Sequence, residues 1–172
     1  MRLRDNPNMS VSIETLLVHL DYHAWASRRL VEAAAQLSVE ELTRDFKTSD
    51  RSVLDTLVHV YAADRLWLRR MEGLPFAGYS SDADRSLAVL QNDWPALMER
   101  WKEWTSRRTG ETASAPFTYS DLKGRTWTQP IWQLILHVVN HGTHHRGQTA
   151  GFLRSMGHVP PPLDLVFYYR ER

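Results

Sequence analysis

The chain has 172 residues, 42% of them hydrophobic and 24% charged, which is one domain's worth of sequence with enough apolar surface for a core. A formal net charge of +1 argues against a nucleic-acid partner, which needs a basic face. The absence of cysteine excludes disulfides, thiolate metal sites and a thiol nucleophile supplied by the protein.

Residues 1–10 are polar and lack the apolar run of a secretion signal, and no stretch approaches the roughly 18 apolar residues of a membrane span. We therefore expect a cytoplasmic protein that works without a membrane, as a single domain over residues 1–172. Local basic pairs at Arg69, Arg70, Arg107 and Arg108 read as solvated surface.

A first helix is predicted over residues 12–37, where Leu16, Leu17, Leu20, Trp25 and Leu30 recur at helical spacing without Gly or Pro. Ser38 and Glu41 form the pattern of a capping box opening a short helical turn. A polar connection follows over residues 44–51. Ser52, with Asp55 three residues on, opens a second helix through Leu54, Leu57, Val58, Tyr61, Leu66 and Trp67, and Gly73 stops it. After a loop containing Pro75 and Gly78, a third helical region spans residues 82–108 and ends at Gly110. Pro95 lies inside it, so either the helix kinks there or Asp93 caps a new helix with Pro95 in its first turn.

Residues 117–129 change character. Phe117, Tyr119, Trp127 and several threonines favour strand, and Lys123-Gly124 marks a turn, so a small hairpin is predicted. Thr128 is placed as the cap of a fourth helix with Pro130 in its first turn, running to Met156 and ended by Gly157. Pro160, Pro161 and Pro162 keep the next segment extended, and the apolar tail over residues 163–169 is expected to pack back. Four amphipathic helices and one inserted hairpin read as an all-α protein, an antiparallel four-helix bundle.

The fourth helix carries His137, His141, His144 and His145. With about 100° per residue, positions four apart lie about 40° apart round the axis. Ile131, Leu134, Ile135, Val138, Phe152 and Leu153 locate the apolar face. His145 then falls roughly 40° and His141 roughly 80° from its centre, whereas His137 and His144 fall at about 120° and 140°. His141 and His145 are thus the pair facing the interior, and two imidazoles on one stripe can chelate one ion. A third ligand has to come from another helix. His59 is the best placed, central in the second helix and followed by the small Ala62 and Ala63, although that helix is apolar almost all round and angles decide little. His19 and His23 form a second pair at the same spacing and read as surface or core polar residues. Gln148, Asp64 and Asp55 are candidates to orient a ligand, the two acids reading first as ordinary helix-surface ion pairs. Tyr22 and Trp25 are candidates to line a pocket, or to pack in the core.

The run His137-Val-Val-Asn-His141-Gly-Thr-His144-His145-Arg146-Gly147-Gln148 resembles the fourth-helix signature of the DinB/YfiT-like superfamily. Leu57-Val58-His59-Val60, leading into Asp64-Arg65-Leu66-Trp67, resembles its second-helix histidine segment, and Tyr22-His23-Ala24-Trp25-Ala26 its first helix. Thr118-Tyr119 through Lys123-Gly124-Arg125 is similar to its short hairpin, and Pro161-Pro162-Leu163-Asp164 to its tail. The resemblance implies a four-helix bundle, often a homodimer, with a three-histidine metal site that maps onto His59, His141 and His145. It implies a divalent cofactor, zinc or nickel before iron or copper. Gly142 stands where many relatives carry a larger residue, which could loosen the helix or open the pocket.

Three neutral imidazoles leave an ion with an open position, the pattern of catalytic rather than structural sites. Some relatives are transferases that use low-molecular-weight thiols such as bacillithiol or mycothiol, and others are metal-dependent hydrolases or isomerases. The expected function is therefore a metal-dependent transferase acting on a small molecule with such a thiol. The alternatives are a hydrolase and a non-catalytic metal-binding stress-response bundle.

Overall fold

The computed structural model describes residues 11–172; the predicted absence of a leader over residues 1–10 falls outside them. Four long helices build the molecule: α1 (Ile13–Ala34), α3 (Val53–Met71), α4 (Leu87–Ser106) and α6 (Ile131–Ser155). Short elements join them: α2 (Val39–Thr43), α5 (Gly110–Ser114), the strands β1 (Pro116–Ser120) and β2 (Thr126–Pro130), and α7 (Leu165–Arg170). The predicted bundle and hairpin are both present. Among the described residues no helix is long and apolar enough to cross a membrane.

Side-chain pairs give the helix directions. Asp21 meets Lys102 and His23 meets Trp94, so α1 and α4 run antiparallel, and His59 and Trp67 meet His145 and His137, so α3 and α6 do too. Asp55 pairs with Arg85 and Glu72 with Arg100, so α3 and α4 run parallel. The connection between them must therefore travel the length of the bundle. A helix of about 20 residues spans about 30 Å, which the segment from Glu72 to Ser86 covers with one 3-10 turn at Asp82–Asp84. Arg65 holds that segment in place by a two-pronged ion pair with Asp84 (2.7 and 2.8 Å) and a bond to the Tyr79 carbonyl.

Ser12, Ser38 and Ser52 cap α1, α2 and α3, each hydroxyl accepting a backbone N–H three residues on. The apolar positions of α6 read from the sequence are all buried, together with Leu16, Leu20, Leu57 and Trp101. The core they form holds the four helices in register.

Three boundaries differ from expectation. Residues 82–108 are not one helix: Ser86 caps α4, which then continues through Pro95 without a restart. Pro95 is on the solvent face, so the carbonyl it leaves without an N–H donor stays open to water. Gly110 starts α5 rather than ending α4, because Thr109 caps it through Thr112. Thr128 does not cap α6; it lies in β2, where its hydroxyl bonds Thr118 (2.8 Å), and the strand runs directly into α6 at Ile131. The Ile131 N–H donates to the Ala115 carbonyl across the sheet, so the ladder does the work of a cap. The tail packs back as expected: Tyr168 is buried beside Tyr22 and Trp25.

Candidate metal centre

α3 and α6 face each other across the bundle and bring His59, His141 and His145 together. One ring nitrogen from each lies within 4.8 Å of the others. His59 Nε2 and His141 Nε2 are 3.1 Å apart, and the His145 ring centre is 4.5 and 4.6 Å from those of His59 and His141. The predicted triad is therefore one cluster. His144 is exposed, as the angles indicated, and lies outside the cluster although its ring packs 4.8 Å from that of His145.

The donor set fits a divalent ion. At zinc–nitrogen bonds of about 2.0–2.1 Å and a tetrahedral angle, two ligand nitrogens sit about 3.4 Å apart, close to the measured His59–His141 spacing of 3.1 Å. Outward-facing partners direct two of the rings. The Tyr79 hydroxyl donates to the His59 carbonyl (3.1 Å) and so accepts from His59 Nδ1 (3.1 Å), which leaves Nε2 a lone pair. His145 Nδ1 donates to Gln148 Oε1 (3.1 Å) and faces Asp50 Oδ2 (3.3 Å). The third ring has no such anchor among the described residues, where His141 Nδ1 is buried without a partner. Burial lowers the pKa of His59, with Asp50 opposing the shift and His145 adding to it. Burial, reinforced by His145 and His59, takes His141 down to about 3. Both shifts favour the neutral imidazole, the form that ligates metal.

Asp50 and Tyr79 were not found from the sequence. Both sit in connections, where no periodicity announces a side chain's direction. The loop before α3 is pinned to α6 by Phe46 stacked on Phe152 at 4.2 Å and by Thr48 bonded to Gln148. Lys47 and Arg51 take positive φ angles of 59° and 62° there, turning Asp50 toward the triad.

Other candidates go elsewhere. Gln148 orients His145 as anticipated. Asp55 makes a helix-surface ion pair with Arg85, one of its two expected roles. Asp64 is wholly buried instead, accepting from His23 Nε2 (2.8 Å) and Trp94 Nε1 (2.8 Å). His23 is likewise buried, with the Arg146 guanidinium 2.7 Å from its Nδ1. Arginine can only donate, so His23 Nδ1 accepts and its Nε2–H donates to Asp64. His19 bonds the Thr15 carbonyl and takes no part. Tyr22 and Trp25 belong to the aromatic cluster with Tyr168. Gly142 neither loosens α6 nor opens a pocket, since a Cβ there would overlap the His23 ring.

Two cavities of different character adjoin the triad, one at His59 and one at His141, with Tyr79 bordering both. One, about 560 Å³, is polar and reaches His59 past Asp50, Arg51, Ser81 and Arg85. The other, about 310 Å³, reaches His141 between Trp67, Tyr119 and Trp127 and is mostly apolar. A further groove of about 520 Å³ between α1 and α4 touches none of the three histidines.

Comparison with known proteins agrees with this architecture. The model of the DinB family matches residues 9–172. Protein DinB of Bacillus subtilis (strain 168) is 23% identical over 156 residues, which is 86% of this chain and 90% of that protein. The crystal structure of a DinB-like protein from Bacillus cereus ATCC 10987 superposes with a TM-score of 0.68 at 22% identity, covering 90% of this chain and 99% of that one.

Proposed function

This chain belongs to the DinB family, and on that premise we propose that it is a metal-dependent transferase joining a low-molecular-weight thiol to a small electrophile. His59, His141 and His145 would hold the ion, zinc or nickel by ligand chemistry. When bound, the ion supplies an open cationic position that acidifies a thiol or water docked there. The observation that carries the reading is the pair of cavities, polar against His59 and apolar against His141. A hydrolase needs one organic pocket beside its water, whereas a transferase needs two.

The chain's own part is binding, orientation and proton handling. The polar cavity suits the hydroxyl- and carboxylate-bearing body of a low-molecular-weight thiol, with Arg51, Ser81 and Arg85 on its walls. Asp50, within 3.7 Å of both His59 Nδ1 and His145 Nδ1 and on the wall of the polar cavity, would steady those two rings and accept the thiol proton through that cavity. The sulfur then forms its bond to the electrophile's carbon, and the leaving group departs with its electron pair and is protonated. Holding the two reactants on either side of Tyr79 supplies proximity and orientation.

The test is a titration of cobalt-substituted protein with bacillithiol, mycothiol and glutathione. Sulfur ligation gives a thiolate-to-cobalt charge-transfer band in the near ultraviolet. If none of the three perturbs the spectrum, the thiol reading falls and hydrolysis takes its place.

A further inference from the structure

Resting on the transferase reading above, we infer that the apolar cavity selects a planar aromatic electrophile bearing a carboxylate, with Arg70 as the residue that reads the acid. The walls are aromatic. Trp67 and Tyr119 meet edge to face at 4.9 Å, and Trp127 closes the hairpin side. At the mouth the hairpin holds large apolar side chains in water, Leu122 at 63% and Trp127 at 48% exposure, although both border the cavity. A flat ligand would cover them and regain the hydration cost. The volume of about 310 Å³ accommodates one or two fused rings. Its floor at His141 brings such a ring beside the triad.

Arg70 is the unmatched charge of this cavity. Its guanidinium carbon lies 4.6 Å from the Trp67 ring centre and 5.5 Å from that of Tyr119, and one Nη donates to the Ser120 carbonyl (2.8 Å). Arg65, Arg85 and Arg100 are each neutralised by Asp84, Asp55 and Glu72. Among the described residues no carboxylate lies within ion-pair distance of Arg70. Asp121 also borders the cavity, but its oxygens are filled by Arg125, by two backbone N–H groups and by Trp127 Nε1. A carboxylate on the ligand completes Arg70 by paired, charge-assisted hydrogen bonds. A cationic ligand meets the Arg70 guanidinium as a like charge and is repelled.

The experiment is calorimetric titration of the metal-loaded protein with 2-naphthoate, 2-naphthamide and cyclohexanecarboxylate. The naphthoate should bind at least about tenfold more tightly than either comparator, the difference made by one charged pair or by loss of ring stacking. Arg70→Met should remove the preference for acid over amide. Trp127→Ala should weaken both naphthyl compounds alike. Thermal melts of both variants show that each is folded. His59→Ala, which removes a metal ligand outside this cavity, should keep the acid preference. Equal binding of acid and amide, equal binding of the non-planar acid, wild-type behaviour of folded Arg70→Met, or no binding at all overturns the inference. So does loss of naphthoate binding in His59→Ala, which would mean that the acid sits on the ion instead of on Arg70. If the wild-type protein takes up no metal yet keeps the Arg70-dependent preference, the pocket stands and the metal-dependent transferase reading falls.

Discussion

At the scale of single residues, the triad combines ligands with unequal support. His59 and His145 are each oriented by an outward partner, Tyr79 and Gln148, while the buried Nδ1 of His141 has none. Replacing any of the three with alanine should abolish stoichiometric metal uptake, whereas His144→Ala should leave it intact, measured by elemental analysis of protein purified without a histidine tag. Asp50→Asn should weaken affinity by about 10–100-fold without removing the site, as loss of a ligand-orienting group does. Metal-free protein should also respond to acid in a defined window. The folded pKa of His141 is near 3 against an ordinary 6.5, because burial disfavours its cation. Below about 6.5 the unfolded chain therefore binds a proton that the folded chain refuses, so stability must fall as pH drops from 6.5 toward 3. Urea midpoints at pH 7.5 and 5 should show the decline, and a bound ion should make unfolding depend on metal concentration as well.

At the scale of the element, α6 carries the chemistry on two sides. His141 and His145 face α3, while Arg146 faces α1 and donates to His23. Gly142 permits this, because an added Cβ would overlap His23 and stand 2.7 Å from Arg146 Nη1. Gly142→Ala should therefore cost about 1–3 kcal/mol by overpacking. Gly147, on the same helix, is exposed with nothing within 4 Å of an added Cβ. Gly147→Ala should stabilise by about 0.5–1 kcal/mol through helix propensity. Denaturant melts of the two variants give opposite signs if this account of α6 is right. The stretch from His141 to Arg146 thus turns two histidines toward α3 and packs a glycine against α1, which sequence periodicity alone does not separate.

At the scale of the whole molecule, a buried polar chain ties all four long helices together. Arg146 on α6 contacts His23 on α1, His23 donates to Asp64 on α3, and Trp94 on α4 donates to the same carboxylate. Arg146, His23 and Asp64 are almost wholly enclosed, so the Asp64 charge balances Arg146 across a neutral imidazole. Asp64→Ala should cost about 3–5 kcal/mol, the penalty for stranding a buried charge, and calorimetric unfolding checks it. The sequence by itself determined the four long helices, the caps at Ser38 and Ser52, the hairpin and the inward pair His141 and His145, because helical periodicity and capping chemistry are local and repeat along the chain. Its resemblance to a known family singled out His59, which the residues had offered as the best-placed third ligand but which the apolar surroundings on every side of α3 had left undecided. Only the tertiary structure decided that Asp50 and Tyr79 border the triad, that Asp64 and His23 are interior, that Arg70 has no carboxylate partner among the described residues, and that one cavity adjoins His59 and another His141. Each of these depends on where a loop or a neighbouring helix lies in space, and that is set by contacts between residues far apart in the chain, which leave no period to read.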